Sequence, residues 1–189
     1  MKKADLRAEY RNRRNELTQA QVREMDSLIF RELTSYDWSN IKYLHVYLAI
    51  AKFKEYDTIP FIQWIWDNYP EIEIVISKSD FNTHLLKHFI YKSDTPLEHN
   101  SWGIPEPSGS IEIEASEIDF VLAPLLVVDE RGNRIGYGKG FYDRFFAACK
   151  PNVSKGGISY FKPVPEIEDI SQWDVPIGIV FTPEKTYFL

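Results

Sequence analysis

The sequence holds one cysteine, Cys149, in 189 residues, which excludes an internal disulfide and suits a reducing compartment. By itself Cys149 reads as a small apolar residue on a helix. No apolar run approaches the roughly 20 residues that span a bilayer. The chain is charged from Lys2 onward, so a signal peptide is not expected. Net positive charge is missing as well. The balance is -6 with a pI near 5.3, which offers no global field for nucleic acid. No Gly-x-Ser-x-Gly elbow occurs and Cys149 has no evident base, so acyl-enzyme chemistry has little support. The four histidines, His45, His84, His88 and His99, include one i, i+4 pair, His84 and His88. That pair falls in a segment that reads as a strand, where it would span about 13 Å, which argues against zinc. What remains is an ordinary globular composition, 44% hydrophobic and 26% charged, sized for one α/β domain with a real core. A cytoplasmic protein is expected.

Two amphipathic helices open the chain. Leu6, Tyr10 and Leu17 lie near helical spacing, and Val22, Met25, Ile29 and Leu33 form the stripe of a second helix. A capping box from Thr18 to Gln21 starts that second helix. Residues 41–50 read as a strand. Pro60, just after Asp57-Thr58, marks the first turn of a third helix whose inward face is Ile62, Ile65, Trp66 and Tyr69. Strands at 72–77 and 85–91 follow, then a long polar connection at 93–117. The run from Phe120 to Val128 is continuously apolar and predicts one central strand buried on both faces. A helix over 141–149 and short strands near 157–161 and 177–181 complete the alternation. It predicts an α/β fold, an open, mainly parallel twisted sheet flanked by helices, as a single domain over 1–189. In such sheets ligands sit at the carboxyl ends of strands.

The densest chemistry lies at 131–144, between a predicted strand and a predicted helix. Gly136, Gly138 and Gly140 alternate there with Tyr137 and Lys139. Glycine allows a tight bend and a close backbone approach that turns N–H groups toward a phosphate. The start of the next helix adds its positive dipole end. Lys139 and Arg134 add full charges, and Asp143 places a carboxylate where magnesium could bridge to phosphates. A glycine-rich turn is often only a turn, and this spacing matches neither the dinucleotide nor the P-loop pattern. A second group of cations, Lys3, Arg7, Arg11 and Arg14, recurs at helical spacing and shares one face. It reads either as a solvated helix face or as charges closing over a polyphosphate. Asp174 reads either as a turn residue or as a second metal carboxylate.

Taken in order, these segments resemble the 5-formyltetrahydrofolate cyclo-ligase family. The specific match is Asp129-Glu130-Arg131-Gly132-Asn133-Arg134-Ile135-Gly136-Tyr137-Gly138-Lys139-Gly140-Phe141-Tyr142-Asp143. It is supported by Lys3 and Arg7, Glu55-Tyr56-Asp57-Thr58, Trp102-Gly103-Ile104-Pro105-Glu106-Pro107 and Asp174-Val175-Pro176-Ile177. The resemblance implies a soluble enzyme that uses ATP and Mg2+ to close 5-formyltetrahydrofolate into 5,10-methenyltetrahydrofolate through a phosphorylated formyl group. It implies ATP contacts from Lys3 and Arg7 and from the loop Arg134, Ile135, Gly136, Tyr137, Gly138, Lys139, Gly140, Phe141 and Tyr142. Lys139, Arg134 and Tyr142 are its catalytic set, and Asp143 with Asp174 its magnesium carboxylates. Glu55 is implied to bind the pterin ring, with Leu48, Trp102, Tyr137 and Phe141 around the folate. Partners are then two small molecules, a reduced folate and ATP, with neither nucleic acid nor membrane, and a monomer or weak homodimer. This chain departs from the family's pattern in a longer link at 49–54, in Phe141 where tyrosine is common, and across 160–172. Another ATP-dependent kinase or ligase on the same loop, or a non-catalytic relative of the fold, are the competing readings.

Overall fold

The computed structural model describes residues 1–100 and 103–189; Trp102 lies outside the described residues. The chain opens with α1 (Lys3–Glu16) and α2 (Gln19–Ser35), then β1 (Tyr43–Val46), α3 (Ile59–Asn68), β2 (Glu73–Asp80) and β3 (Leu85–Tyr91). The short strands β4 (Leu97–His99), β5 (Pro105–Pro107) and β6 (Glu112–Ile113) precede β7 (Phe120–Pro124). The hairpin β8 (Val127–Val128) and β9 (Arg134–Ile135) leads into α4 (Phe141–Ala148), and β10 (Ser154–Ile158), β11 (Ile179–Phe181) and β12 (Thr186–Phe188) follow. The main sheet runs β12-β11-β10-β7-β1-β2-β3-β6. Its five central strands, β11, β10, β7, β1 and β2, pair in parallel. Its edges, β12 on one side and β3 with β6 on the other, pair antiparallel.

Strand alternation divides the core between the two faces. Leu44, Val46, Ile74, Ile76, Phe120 and Leu122 pack with Trp38, Phe61 and Phe181 beneath α2 and α3. Val75, Val121, Ala123 and Val180 pack with Phe145 and Phe146 of α4 on the other. Chain order reverses at β1, with β2 on one side and β7 on the other, so a crevice opens at their carboxyl ends.

Several sequence-based boundaries move. The first helix ends at Glu16 with Leu17 at its C-cap, because the capping box of Thr18 and Gln21 starts α2 immediately afterwards. The run from Phe120 to Val128 is not one strand. It bends after Pro124, and Val127–Val128 turn back to pair with Arg134–Ile135. It still reads as a single apolar run, since Phe120 to Ala123 and Leu125 to Val128 are all buried. The 93–117 connection is largely ordered, with β4 on β5 and with β6 on the sheet edge. His84 precedes β3 in a left-handed conformation, φ 57°, rather than lying in the strand.

The β8–β9 hairpin rests on Asp129, whose carboxylate is wholly buried. It accepts hydrogen bonds from the N–H groups of Arg131 and Asn133, both at 2.9 Å, from Asn133 Nδ2 at 2.9 Å and from Ile167 N at 3.1 Å. Gly132 closes the turn at φ +83°, where an added Cβ would lie 2.1 Å from the Ile177 carbonyl oxygen. Asp129→Ala strands the buried Ile167 N–H and three part-buried donors and is expected to lower stability by about 3 kcal/mol. Urea unfolding with an unchanged slope and a lower midpoint checks this; a midpoint at the wild-type value contradicts it.

Candidate functional site

A cavity of about 630 Å³ opens at the carboxyl ends of β1, β2 and β7 and is closed over by α1, the 136–143 loop and the start of α4. Its walls bring together residues far apart in the chain: Lys3, Arg7 and Arg11 from α1, Leu48 and Glu55 after β1, Lys139 and Tyr142, and Asp174. Helix α1 reaches this place because Leu6 and Tyr10 pack into the hairpin core of Leu126, Val127, Ile135 and Ile167. Its basic face therefore turns to the cavity instead of lying wholly in water. Arg7 Nε donates to the Gly136 carbonyl at 2.9 Å, which ties α1 to the glycine loop. Gly138 and Gly140 both carry positive φ, +82° and +71°, a conformation that glycine adopts without steric cost. Gly140 is also the N-cap of α4, so the open N–H end of that helix faces the cavity.

At the other end of the cavity Glu55 is buried and shared. Its Oε1 accepts from the Tyr137 hydroxyl at 2.5 Å and its Oε2 from Ile50 N at 2.6 Å. Burial pushes the Glu55 carboxyl up; the Tyr137 hydroxyl, the Ile50 N–H and the Arg14 charge oppose that shift. Phe53 stacks on Tyr137 with centroids 4.9 Å apart. Phe81 and Phe141, also in the cavity lining, pack edge to face at 5.4 Å, so the cavity sets the Glu55 carboxylate among several flat apolar surfaces.

Not every residue singled out in the sequence lines this space. Ile135 does not; its side chain is fully buried beside Leu6 and Tyr10, because β9 alternates and Arg134 takes the cavity side. Arg134 lines the cavity but is committed to the protein. Its Nη2 donates to Asp143 Oδ1 at 2.7 Å, its Nη1 donates to the Val175 carbonyl, and its guanidinium lies 4.7 Å from the Phe146 ring. Burial lowers the pKa of Arg134, and Asp143 opposes the shift. Asp174 serves as a turn residue, accepting from Ser171 N at 2.6 Å, while also accepting from Lys3 Nζ. Lys139 is exposed at the rim. Burial pushes the Tyr142 hydroxyl well up, which keeps it a neutral phenol.

Sequence reasoning missed two features. Phe53 belongs to the 49–54 segment, which reads only as surplus length. Its role appears once the chain turns at Lys54, φ 47°, and Lys54 Nζ anchors on the Asn15 and Leu17 carbonyls. The second is a polar row beneath the cavity: Ser77 Oγ lies 2.8 Å from His45 Nε2 and 3.0 Å from His88 Nδ1. Burial takes His88 down to about 4, and burial followed by the His88 charge takes His45 well below its ordinary value. His84 lies apart from this row, against Phe141, and the described residues contain no cluster of three or more metal-ligating side chains. Both buried rings are favoured neutral in the fold, so their contribution to stability is whole above about pH 6.5. It is lost as pH falls toward 4, where the unfolded chain binds the extra protons. His88→Asn is expected to remove on the order of 3 kcal/mol from the stability lost between about pH 6.5 and pH 4. Melting temperatures followed from pH 7 to pH 4 check it, and a slope identical to wild type contradicts it.

Comparison with known proteins supplies the family. A 5-formyltetrahydrofolate cyclo-ligase from Haemophilus influenzae is 28% identical over 180 residues, covering 93% of this chain and 95% of its own. Its Escherichia coli namesake is 27% identical over 181 residues, covering 94% and 98%. The solved Aquifex aeolicus 5,10-methenyltetrahydrofolate synthetase superposes with a TM-score of 0.81 at 25% identity, covering 100% of this chain and 93% of that one. None of the described helices is long and apolar enough to cross a membrane. The family model described as "5-formyltetrahydrofolate cyclo-ligase family" matches residues 1–183, so the chain belongs to the 5-formyltetrahydrofolate cyclo-ligase family.

Proposed function

We propose that this protein converts 5-formyltetrahydrofolate to 5,10-methenyltetrahydrofolate with cleavage of ATP to ADP and phosphate. The observation that carries this reading is one cavity with two different ends. At one end are the cations Lys3, Arg7 and Lys139 and the N-terminus of α4; at the other are Glu55 and a set of aromatic walls. The first end suits a polyphosphate. The second suits a flat, N–H-rich heterocycle: a carboxylate accepts from the pterin edge while Tyr137, Phe141 and Leu48 cover its faces.

Between the two ends the formyl oxygen attacks the γ-phosphate, the bond to ADP breaks, and an imidate phosphate forms. The neighbouring bridge nitrogen then attacks the activated carbon and loses its proton. Phosphate leaves with the original formyl oxygen and takes up that proton as hydrogen phosphate, which balances the reaction as methenyl cation, ADP and hydrogen phosphate. Phosphoryl transfer asks for alignment and charge neutralisation more than for covalent help. Arg7, fixed to the Gly136 carbonyl, and Lys139 supply charge along the phosphates. Arg134 is held at Asp143 and lends its charge from beneath the loop. Tyr142, kept neutral, offers a hydroxyl at the junction of the two ends. The aromatic walls exclude water that would hydrolyse the intermediate.

The carboxylates fit a magnesium ion. Asp143 Oδ2 and Asp174 Oδ1 take no hydrogen bond from the described residues, since the donors around them are bound at Asp143 Oδ1 and Asp174 Oδ2. Two hard oxygens plus phosphate oxygens are a common magnesium set, and the ion, once bound, supplies further neutralisation of the phosphates.

The direct test follows methenyltetrahydrofolate absorbance growing in from 5-formyltetrahydrofolate, with and without ATP and magnesium. Growth that needs both supports the reading, and a flat trace with both present overturns it. Lys139→Ala is expected to weaken ATP use at least about tenfold, the cost of one charge-assisted hydrogen bond, with melting nearly unchanged because the side chain is exposed. Unaltered rates at limiting ATP would contradict that. Replacing both Lys3 and Arg7 with Gln is expected to weaken ATP binding by at least tenfold as well; titration of ATP binding decides, and an indifferent affinity returns α1 to a scaffold role.

A further inference from the structure

Arg14 is the most buried charge of α1, with 3% of its surface exposed. Its hydrogen bonds go not to a carboxylate but to a carbonyl and a phenol. Nη2 donates to the Leu125 carbonyl, Nη1 donates to the Tyr137 hydroxyl at 3.2 Å, and buried Nε has no partner. A guanidinium is costly to bury without a countercharge. The charge that balances it lies one step further on, since the same Tyr137 hydroxyl donates to Glu55 Oε1 at 2.5 Å. The phenol therefore accepts from a cation and donates to an anion, an order of polarity in which each bond strengthens the other.

We propose that Arg14 is a positioning residue for the folate end of the cavity: it fixes the Tyr137 hydroxyl against Glu55 and so presents the Glu55 carboxylate to the N–H edge of the reduced pterin. The proposal rests on the folate reading above and extends it to a residue that touches no substrate. It also joins the two ends of the site. The helix that carries Lys3 and Arg7 toward the phosphates carries, two to three turns later, the cation that organises the acid at the other end.

The groups facing Glu55 are Arg14 from α1, Tyr47 beyond β1, Tyr137 from the glycine loop and Tyr142 from α4. Lys54, its chain neighbour, turns away to the Asn15 and Leu17 carbonyls. Among the described residues, the Arg14 charge works against the effect of burial on Glu55, and Lys52 lines the same cavity. Removing the Arg14 charge favours the protonated acid, which no longer accepts two N–H bonds. The acid limb of folate binding then moves to higher pH.

The test uses the full chain and four proteins: wild type, Arg14→Met, Tyr137→Phe and the double variant. KM for 5-formyltetrahydrofolate and for ATP is measured from acid to neutral pH. Arg14→Met is expected to raise the folate KM at least about tenfold with the ATP KM little changed. It is also expected to shift the acid limb up by about one pH unit. Because both residues act on Glu55 in series, the double variant should fall short of the product of the single effects. Both KM values rising together with an unmoved limb, or fully multiplicative effects, would overturn the proposal and leave Arg14 as an anchor of α1. If Arg14→Met does not fold, Tyr137→Phe carries the same test, and wild-type folate KM and pH limb in that protein overturn it. A wild-type chain with no ATP-dependent turnover defeats the parent reading instead. Arg14 is then read from equilibrium binding of 5-formyltetrahydrofolate across the same pH range, and an unshifted limb there overturns the proposal independently.

Discussion

The docking of α1 across the carboxyl ends of the parallel strands is the constraint on which the site depends. Leu6 and Tyr10 insert into the small core formed by Leu126, Val127, Ile135 and Ile167. This apolar stripe fixes the rotation of the helix, and the rotation fixes where four cations point. Arg14 falls on the buried side and bonds inward to Leu125 and Tyr137, whereas Lys3, Arg7 and Arg11 face the cavity. The hairpin that receives α1 is itself held by the buried carboxylate of Asp129. Apolar packing thus sets the geometry, and charge is placed as a consequence.

The two ends of the cavity differ in their electrostatics for related reasons. At the end lined by the first turns of α1, Lys139 stays exposed, whereas Lys3 and Arg7 are already held by Asp174 and by the Gly136 carbonyl. Glu55 is buried, and a carboxylate there is affordable only because hydrogen bonds and the Arg14 charge oppose the effect of burial. Low local dielectric makes those few polar contacts strong and selective. Beneath them the Ser77 hydroxyl links His45 Nε2 and His88 Nδ1 while buried His45 Nδ1 has no partner, and burial favours both rings neutral.

Much of this was legible in the sequence. The capping box at Thr18 and the apolar stripes of α2 and α3 follow from local periodicity, and the apolar runs of β1, β2 and β7 mark buried strands. The glycine loop announces itself by spacing and by its neighbours. Three features were not legible. The bend after Pro124 is hidden because both halves of the apolar run are buried, one in the sheet and one under α1. Ile135 reads as part of a binding loop, yet strand alternation sends it into the core and sends Arg134 to the cavity. Arg14 shares a helical face with Lys3, Arg7 and Arg11, and only packing against Leu125, Tyr137 and Tyr160 separates the buried cation from the rest. Sequence periodicity specifies which residues share a face, but not how deeply each turn of that face is covered.

In the proposed function, α1 and the glycine loop form one phosphate-binding surface beside the Glu55 end of the same cavity. Amide hydrogen exchange measured with a non-hydrolysable ATP analogue, alone and together with 5-formyltetrahydrofolate, tests it most directly. The analogue is expected to slow exchange jointly in the first turns of α1 and in residues 134–142, and the folate to extend protection to residues 48–56. Protection confined to the glycine loop, with α1 exchanging as in the free protein, would contradict it.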